Sequence, residues 1–239
     1  MLVRGFPAQA FDTNCYVVAP GQGEQCVVVD PGIGVEQQLD ALLREHDLQP
    51  VAVLLTHGHL DHTFSVTPVC GARGIPAYIS AQDRDQLADP VKYLSEGSSQ
   101  LFGGRLEWTE PSDVKLLDPA EPLEIAGMRF GVDWAPGHTA GSVVFRLPGD
   151  EADGEAGAPV LLSGDVLFAG SIGRTDLPGG SWEEMQSSLR DVILPMADDT
   201  IVLPGHGPAT TIGRERQANP FLQDLGWAGT AAQPPSRGL

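Results

Sequence analysis

A short histidine-rich segment carries the strongest chemical signal in this sequence. It spans residues 56–62 (THGHLDH) and directly follows an apolar run. Two imidazoles spaced two residues apart, those of His57 and His59, can both reach one ion from a loop. The pair Asp61-His62 can then turn toward a second ion at a typical metal–metal distance. The segment therefore indicates metal binding, because histidines grouped without a ligand would leave buried polar atoms unpaired.

Three more residues stand in similar surroundings. Each follows an apolar, strand-like run, and both histidines also follow a Pro-Gly turn: His138, Asp165 and His206. In open α/β sheets, ligands collect outside the carboxyl ends of the strands, so we expect these side chains to join the first cluster. A set of nitrogen and oxygen donors without cysteine is typical of a reactive centre rather than a structural zinc site. His46 lies in a predicted helix and is interpreted as an ordinary surface residue.

Four other residues are weaker candidates for the site. Asp30, which precedes Pro31, is either a carboxylate that orients a ligating imidazole or a strand-to-turn residue. The others are arginines that could anchor an anionic acyl or thiol moiety: Arg174, Arg214 and Arg216. Arg214 and Arg216 could equally be solvated charges at the start of a helix.

Strands and helices that could position these residues alternate along the chain. Apolar runs predict strands at 26–29, 51–55, 129–134, 142–145, 160–162 and 201–203. Helical spacing predicts an amphipathic helix between Val35 and Asp47. Ser181 and Glu184 form a capping box that predicts the start of a second helix. Such alternation is typical of a layered α/β protein.

Length and composition restrict the class of protein further. At 239 residues an α/β chain is often one domain, so we expect a single catalytic domain over 1–227 and a disordered tail over 228–239. We find neither the roughly 20 apolar residues of a membrane span nor a signal peptide, and we expect a cytoplasmic protein. The formal net charge of −18 disfavours nucleic acid as a partner. The 3 cysteines suggest neither a disulfide framework nor a thiolate zinc site.

These motifs resemble the metallo-β-lactamase superfamily. Its H-x-H-x-D-H motif is matched by His57, His59, Asp61 and His62, and the resemblance continues over nearly the whole chain through Asp30, His138, Asp165 and His206. The resemblance implies an α/β fold, the four-layer αβ/βα sandwich. It also implies that His57, His59 and His138 hold a first metal, that Asp61, His62 and His206 hold a second, and that Asp165 bridges them. The implied cofactors are two divalent transition-metal ions, zinc in the first place, with iron and manganese as alternatives.

Within this superfamily, Asp165 and the segment that follows it resemble the short bacterial glyoxalase II-like group. β-Lactamases commonly have Cys or His at this position, whereas a bridging carboxylate is typical of glyoxalase II-like hydrolases. The segment after His206 is too short for the helical domain that binds glutathione in longer glyoxalase II enzymes, which leaves the thiol carrier open. The implied activity is hydrolysis of small-molecule hydroxyacyl thioesters by a metal-bridging hydroxide that Asp61 orients.

Two other activities stay open at this point. A persulfide dioxygenase shares the fold and these residue types but uses one iron held by two histidines and an aspartate. The second alternative is a β-lactamase-like hydrolase. A protein nucleophile is not expected, because the sequence contains no G-x-S-x-G motif or Cys–His arrangement. The oligomeric state does not follow from the sequence.

Overall fold

The computed structural model describes most of the chain: residues 1–93, 108–119, 121–149, 151–152, 155–223 and 225. The disordered tail predicted over 228–239 lies outside these residues, and the single domain over 1–227 stays a prediction. In the described ranges, every helix is too short or too polar to cross a bilayer. The cytoplasmic location likewise stays a prediction.

Two mixed six-stranded sheets form the centre of the protein. The first contains, in spatial order, β1 (Leu2–Pro7), β2 (Asn14–Ala19), β3 (Gln25–Val29), β4 (Gln49–Leu54), β5 (Ala77–Ser80) and β6 (Val114–Leu117). The second contains β7 (Leu123–Ile125), β8 (Met128–Trp134), β9 (Val143–Leu147), β12 (Val160–Gly164), β13 (Ile201–Pro204) and β14 (Thr210–Thr211). A small separate hairpin consists of β10 (Glu151–Ala152) and β11 (Glu155–Ala156). All six predicted strands are confirmed.

Helices follow the strands of both sheets. After strands of the first sheet come α1 (Glu36–Glu45), α2 (Leu60–Thr63), α3 (Val66–Arg73), α4 (Arg84–Ala88) and a 3₁₀ helix (Pro90–Tyr93). The second sheet is accompanied by α5 (Trp182–Ser188), a π-helical turn (Leu189–Ile193), α6 (Ile212–Ala218) and α7 (Pro220–Gln223). The amphipathic helix predicted from periodicity is confirmed as α1, which buries Leu39 and Leu43.

Strand periodicity explains how the sheets and helices form layers. Successive side chains of a strand point to opposite faces, and in β2 Cys15 and Val17 belong to the core beneath the helices. Tyr16 and Val18 instead pack between the two sheets, in the same core as Phe130 of β8. A third core joins the outer face of the second sheet to α5 and α6. The chain is therefore a four-layer αβ/βα sandwich, as predicted.

The start of α5 ties a helix to a loop of the site. Ser181 caps the helix by accepting a hydrogen bond from the backbone of Glu184 at 3.3 Å. The amide of Ser181 donates to the carbonyl of Gly137 at 2.8 Å. Gly137 has φ +137°, and a Cβ there would lie 2.4 Å from the backbone of Met185. Only glycine fits this close approach, which fixes the loop that continues into His138.

The strand directions bring several loops to one edge of the sandwich. Strands β3, β4 and β5 are parallel neighbours, as are β12 and β13. Strands β8 and β12 each pair antiparallel with β9, so they run in the same direction. Five of these six strands, all except β5, are followed at their carboxyl ends by residues predicted to form the site, as expected for an α/β sandwich.

Candidate metal centre

The histidine-rich segment leaves the end of β4 as a loop and enters α2. His57 and His59 lie in the loop, and His59 keeps an extended backbone (φ −65°, ψ 142°) at the position before the helix. Asp61 and His62 lie within α2. The loop and the helix point their side chains in different directions, which divides the motif between two groups of ligand atoms.

The first group consists of three imidazoles. His59 Nδ1 lies 3.1 Å from His57 Nε2 and 2.7 Å from His138 Nε2. His138 is brought there by the loop after β8, and it is 3% exposed. Three nitrogens at these distances can surround one ion, and the full set of ligand atoms lies within 4.8 Å.

The second group combines the helical half of the motif with the loop after β13. His206 Nε2 lies 3.3 Å from His62 Nε2 and 3.2 Å from Asp61 Oδ2. These three ligand atoms also lie within 4.8 Å of one another. The group is partly open to solvent, because His62 is fully buried while the Asp61 and His206 side chains are 25% and 28% exposed.

Asp165 lies between the two groups. Its Oδ2 is 3.4 Å from His138 Nε2, and its Oδ1 is 3.3 Å from His62 Nε2. Within the described residues Oδ1 is buried and accepts no hydrogen bond of good geometry. A buried carboxylate oxygen without a donor is costly, and a cation at this place would satisfy it. The position fits a carboxylate shared by two ions.

The loop after β13 approaches Asp165 closely because it contains Gly205. A Cβ at Gly205 would lie 2.2 Å from Asp165 Oδ1 and 2.6 Å from His62 Cε1. Any larger residue would collide with the side chains of Asp165 and His62. The second group therefore requires a glycine at position 205 of this Pro-Gly turn.

Hydrogen bonds on the far side of the imidazoles fix which nitrogen faces the centre. His138 Nδ1 donates to the carbonyl of Arg174 at 2.8 Å, and His206 Nδ1 donates to the carbonyl of Phe11 at 3.1 Å. His62 Nδ1 donates to Asp30 Oδ2 at 2.9 Å. Each bond leaves Nε2 as the free nitrogen, which is the usual arrangement around a bound metal.

Asp30 thus makes the imidazole contact that was one of its two interpretations. It also accepts hydrogen bonds from the Thr56 amide at 2.8 Å and from the Thr56 hydroxyl at 2.6 Å. The Thr56 hydroxyl oxygen lies 3.0 Å from His57 Nδ1, from which it can accept. One buried carboxylate therefore holds both halves of the motif.

The protonation states of the donor set suit a cation. Burial and the neighbouring imidazole of His138 lower the pKa of His59 to about 3. Burial, followed by the charge of His62, lowers the pKa of His57 well below its usual value. Burial alone would raise the pKa of Asp165, but His62 outweighs it and lowers that pKa. Neutral imidazoles and an ionised carboxylate are the forms that bind metal.

The carboxylates around His62 favour a positive charge at this place. Burial would lower the pKa of His62, but the carboxylates of Asp165 and Asp61 together raise it well above the usual value. A cation bound to the second group would supply this positive charge. The geometry and the donor chemistry both agree with a metal centre.

A family model described as the metallo-beta-lactamase superfamily matches residues 8–206. The chain belongs to this superfamily. It is 44% identical over 227 residues to the uncharacterized protein Rv2581c of Mycobacterium tuberculosis, covering 94% of this chain and 99% of that protein. It is 35% identical over 226 residues to the hydroxyacylglutathione hydrolase GloC of Haemophilus influenzae, covering 93% and 98%.

Solved structures of the metallo-β-lactamase superfamily show the same architecture. The BLEG-1 B3 metallo-β-lactamase is 40% identical and superposes with a TM-score of 0.79, covering 92% of this chain and 99% of that one. TTHA1623 in a di-iron-bound form is 34% identical with a TM-score of 0.72, covering 92% and 100%. The chain therefore belongs to a superfamily of metallo-hydrolases whose fold binds divalent metals, and its described histidines and aspartates form clusters that could hold such ions.

A cavity of about 460 Å³ opens directly onto the metal centre. Its floor includes His59, Asp61, Asp165 and other ligand residues, and its walls are mostly apolar. A volume of this size suits a small ligand. The candidate metal centre is therefore accessible to a substrate from one side.

The three candidate arginines have different surroundings. Arg174 lines the cavity, but Arg214 and Arg216 are not among its lining residues. Arg216 Nη2 donates to the carbonyls of Leu194 at 2.7 Å and Met196 at 2.8 Å, which gives it a structural contact elsewhere. Arg214 is exposed, and its amide donates to the Thr211 hydroxyl at 3.3 Å at the start of α6. The structure does not bring Arg214 or Arg216 to the site.

Asp83 is a residue of the site that sequence reasoning missed. It is 2% exposed and lies just after β5. Its carboxylate accepts hydrogen bonds from the amides of Gly58 at 2.9 Å and Gly141 at 2.8 Å, and from the Thr139 hydroxyl at 2.6 Å. Burial raises its pKa, while these three hydrogen bonds act in the opposite direction. Asp83 therefore joins the two loops that supply the three-histidine group.

We expect Asp83→Asn to lower metal affinity and kcat/KM by about 10- to 100-fold, the range typical of residues that orient metal ligands. An amide oxygen can accept some of the three hydrogen bonds, but the amide nitrogen cannot accept any. The matched control is Asp113→Asn, which removes an exposed carboxylate near β6 of the same sheet. Equal metal affinity in the two variants, measured by competition with a chromogenic chelator, would show that Asp83 does not position the ligands.

Proposed function

We propose that this chain is a binuclear metallohydrolase of hydroxyacyl thioesters, with zinc as the bound metal. The observation that carries the proposal is the sharing of Asp165 between two groups of nitrogen and oxygen donors at the floor of a cavity. The 35% identity to the hydroxyacylglutathione hydrolase GloC supports the substrate class. The proposed partner is a small-molecule thioester rather than a nucleic acid or a membrane.

The chemistry divides between the ions and the protein. Bound divalent ions would acidify a water molecule and polarise an acyl carbonyl as Lewis acids. In the overall reaction, the water oxygen bonds to the acyl carbon, the carbon–sulfur bond breaks, and a carboxylic acid and a thiol are released. The protein must hold the water close to the acyl carbon and keep competing groups away.

Asp61 is suited to orient the water. Its Oδ2 accepts a hydrogen bond from the Thr13 hydroxyl at 3.1 Å, which limits rotation of the carboxylate. Asp61 lines the cavity and is ionised, because His62 and His206 outweigh the effect of burial and lower its pKa. An ionised, oriented carboxylate can accept a hydrogen bond from the water and direct its lone pair toward the substrate.

The test compares three reactions on the same metal-loaded protein. We expect release of free thiol from S-lactoylglutathione or S-lactoyl-N-acetylcysteamine, detected with a thiol reagent, at the same rate with and without oxygen. Glutathione persulfide is the second substrate, followed with an oxygen electrode. Nitrocefin is the third substrate and tests for β-lactam hydrolysis. This alternative is included because the chain is 40% identical to the BLEG-1 B3 metallo-β-lactamase.

Each alternative has a distinct result. Oxygen uptake in proportion to persulfide loss, without thioester turnover above the metal-free control, would assign the chain as a persulfide dioxygenase. Nitrocefin hydrolysis without thioester hydrolysis would assign a β-lactamase-like activity. Metal analysis of the same sample distinguishes about two ions per chain from one. A single bound ion after reconstitution would contradict the binuclear part of the proposal.

A further inference from the structure

The walls of the substrate cavity are apolar and aromatic. They include Phe11, Ile33, Leu60, Phe168 and Leu177. Phe11 is 50% exposed and has φ 63°, a left-handed conformation that bulky residues rarely adopt. In this conformation the carbonyl of Phe11 accepts a hydrogen bond from His206 Nδ1, and Phe11 also lines the cavity. Walls of this kind favour uncharged groups of a substrate.

Arg174 is the only lysine or arginine among the described residues that line the cavity. Its guanidinium is already engaged, because Nε and Nη2 donate to the two carboxylate oxygens of Asp176 at 2.7 Å each. This two-pronged geometry is the strongest arrangement of an arginine with a carboxylate. The pair carries no net charge, so it offers little attraction to an anionic ligand.

Two further side chains at this side of the cavity, those of Tyr93 and Lys92, are also engaged by carboxylates. Tyr93, which lines the cavity, donates its hydroxyl to Asp85 at 3.0 Å. The neighbouring Lys92 lies 3.2 Å from Asp85 and 3.9 Å from Asp89, so one cation is shared by two carboxylates. The formal net charge of the whole chain is −18, and this field also repels anions.

We propose that the thiol half of the substrate is uncharged, and that Asp176 sets this preference by neutralising Arg174. The inference rests on the proposed thioester hydrolysis and specifies its substrate class. It differs from the sequence-based prediction that Arg174 anchors an anionic moiety, because the charge of Asp176 cancels that of Arg174. Asp176 is therefore a specificity-determining residue outside the metal centre.

A pair of nearly isosteric substrates tests the proposal. The S-lactoyl thioesters of N-acetylcysteinamide and N-acetylcysteine share the acyl group and differ in the thiol half by one carboxylate charge. We expect the wild-type protein to have a higher kcat/KM for the amide. Asp176→Asn should shift the ratio toward the carboxylate by about fivefold, the effect of one unit charge at roughly 4 Å in water. Added salt should reduce this shift, because both charges are exposed.

The matched control is Asp133→Asn. Asp133 also holds an arginine with both carboxylate oxygens, that of Arg146, but it does not line this cavity. The control removes the same net charge and should leave the amide-to-carboxylate ratio unchanged. A wild-type preference for the carboxylate, equal use of both substrates, or the same ratio in Asp176→Asn and wild type would overturn the inference. Hydrolysis of neither thioester by the metal-loaded wild type would instead reject the proposed function itself.

Discussion

Asp165→Asn should lower kcat/KM by about 10³-fold or more, since a loss of several kcal/mol of Lewis-acid stabilisation corresponds to this factor. This large loss is expected because Asp165 contacts both groups of ligand atoms. One of its carboxylate oxygens lies 3.4 Å from His138 Nε2 of the first group, and the other lies 3.3 Å from His62 Nε2 of the second group. Asparagine has nearly the same shape, so the core around the residue should stay packed. The change removes the charge that the two ions would share.

His206→Asn is the comparison that isolates the shared position. His206 belongs to the second group alone in the proposed assignment, and its side chain is 28% exposed. Its loss should weaken one ion and leave the three-histidine group intact, with a fall in activity of about 10- to 100-fold. Metal content by mass spectrometry and kcat/KM are measured on both variants. Wild-type metal content in Asp165→Asn would refute its role as the bridge.

The parts of the site that the sequence predicts are those with a local signal. The spacing of His57, His59, Asp61 and His62 is visible in six consecutive residues. His138, Asp165 and His206 could be added because each follows a recognisable apolar strand, and strand ends of one direction meet at one edge. The structure brings all seven together at this edge, in the two groups of ligand atoms and the Asp165 carboxylate between them.

Residues whose role depends on distant contacts could not be predicted in this way. Asp83 accepts hydrogen bonds from Gly58, Thr139 and Gly141, and none of these partners is close to it in sequence. The one available signal was its place after an apolar run, but β5 itself was not predicted. Arg216 was a candidate for the site, but the structure places it elsewhere. It donates to the carbonyls of Leu194 and Met196, which lie well before it in the sequence, and no local pattern indicates this contact.

The strands that were missed also have a physical explanation. β1 contains Arg4, Gly5 and a final proline, and its side chains are mostly exposed or half-buried, as expected for the edge of a sheet. β14 has two residues and β7 has three, which is too short for a periodic pattern. Strands such as β3 and β12 were predictable because burial on both faces demands continuous apolar runs. This signal was not sufficient for β2 and β5, which also lie inside the first sheet but were not predicted.

Removal of the metal ions should stop thioester hydrolysis and destabilise the fold. Without a cation, His59 Nδ1 faces His57 Nε2 at 3.1 Å and His138 Nε2 at 2.7 Å in a buried site. Burial and the neighbouring imidazoles disfavour protonation of His57 and His59, so the single proton of a neutral His59 can satisfy at most one of these two contacts. A bound ion can be shared by all three nitrogens, and because it binds the folded site it stabilises the folded state over the unfolded one.

The size of this effect follows from mass action. An ion present at about 100 times its Kd stabilises a protein by about 2.7 kcal/mol, which corresponds to a Tm shift of roughly 5–10 °C for a chain of this length. We expect dialysis against a chelator to lower Tm by this amount and to reduce turnover to the metal-free rate, and zinc to restore both. The same treatment of Asp165→Asn should move Tm by less than half as much, because that variant holds its ions weakly. An unchanged Tm in the wild type, with full activity after chelation, would contradict the assignment of these residues as a metal centre.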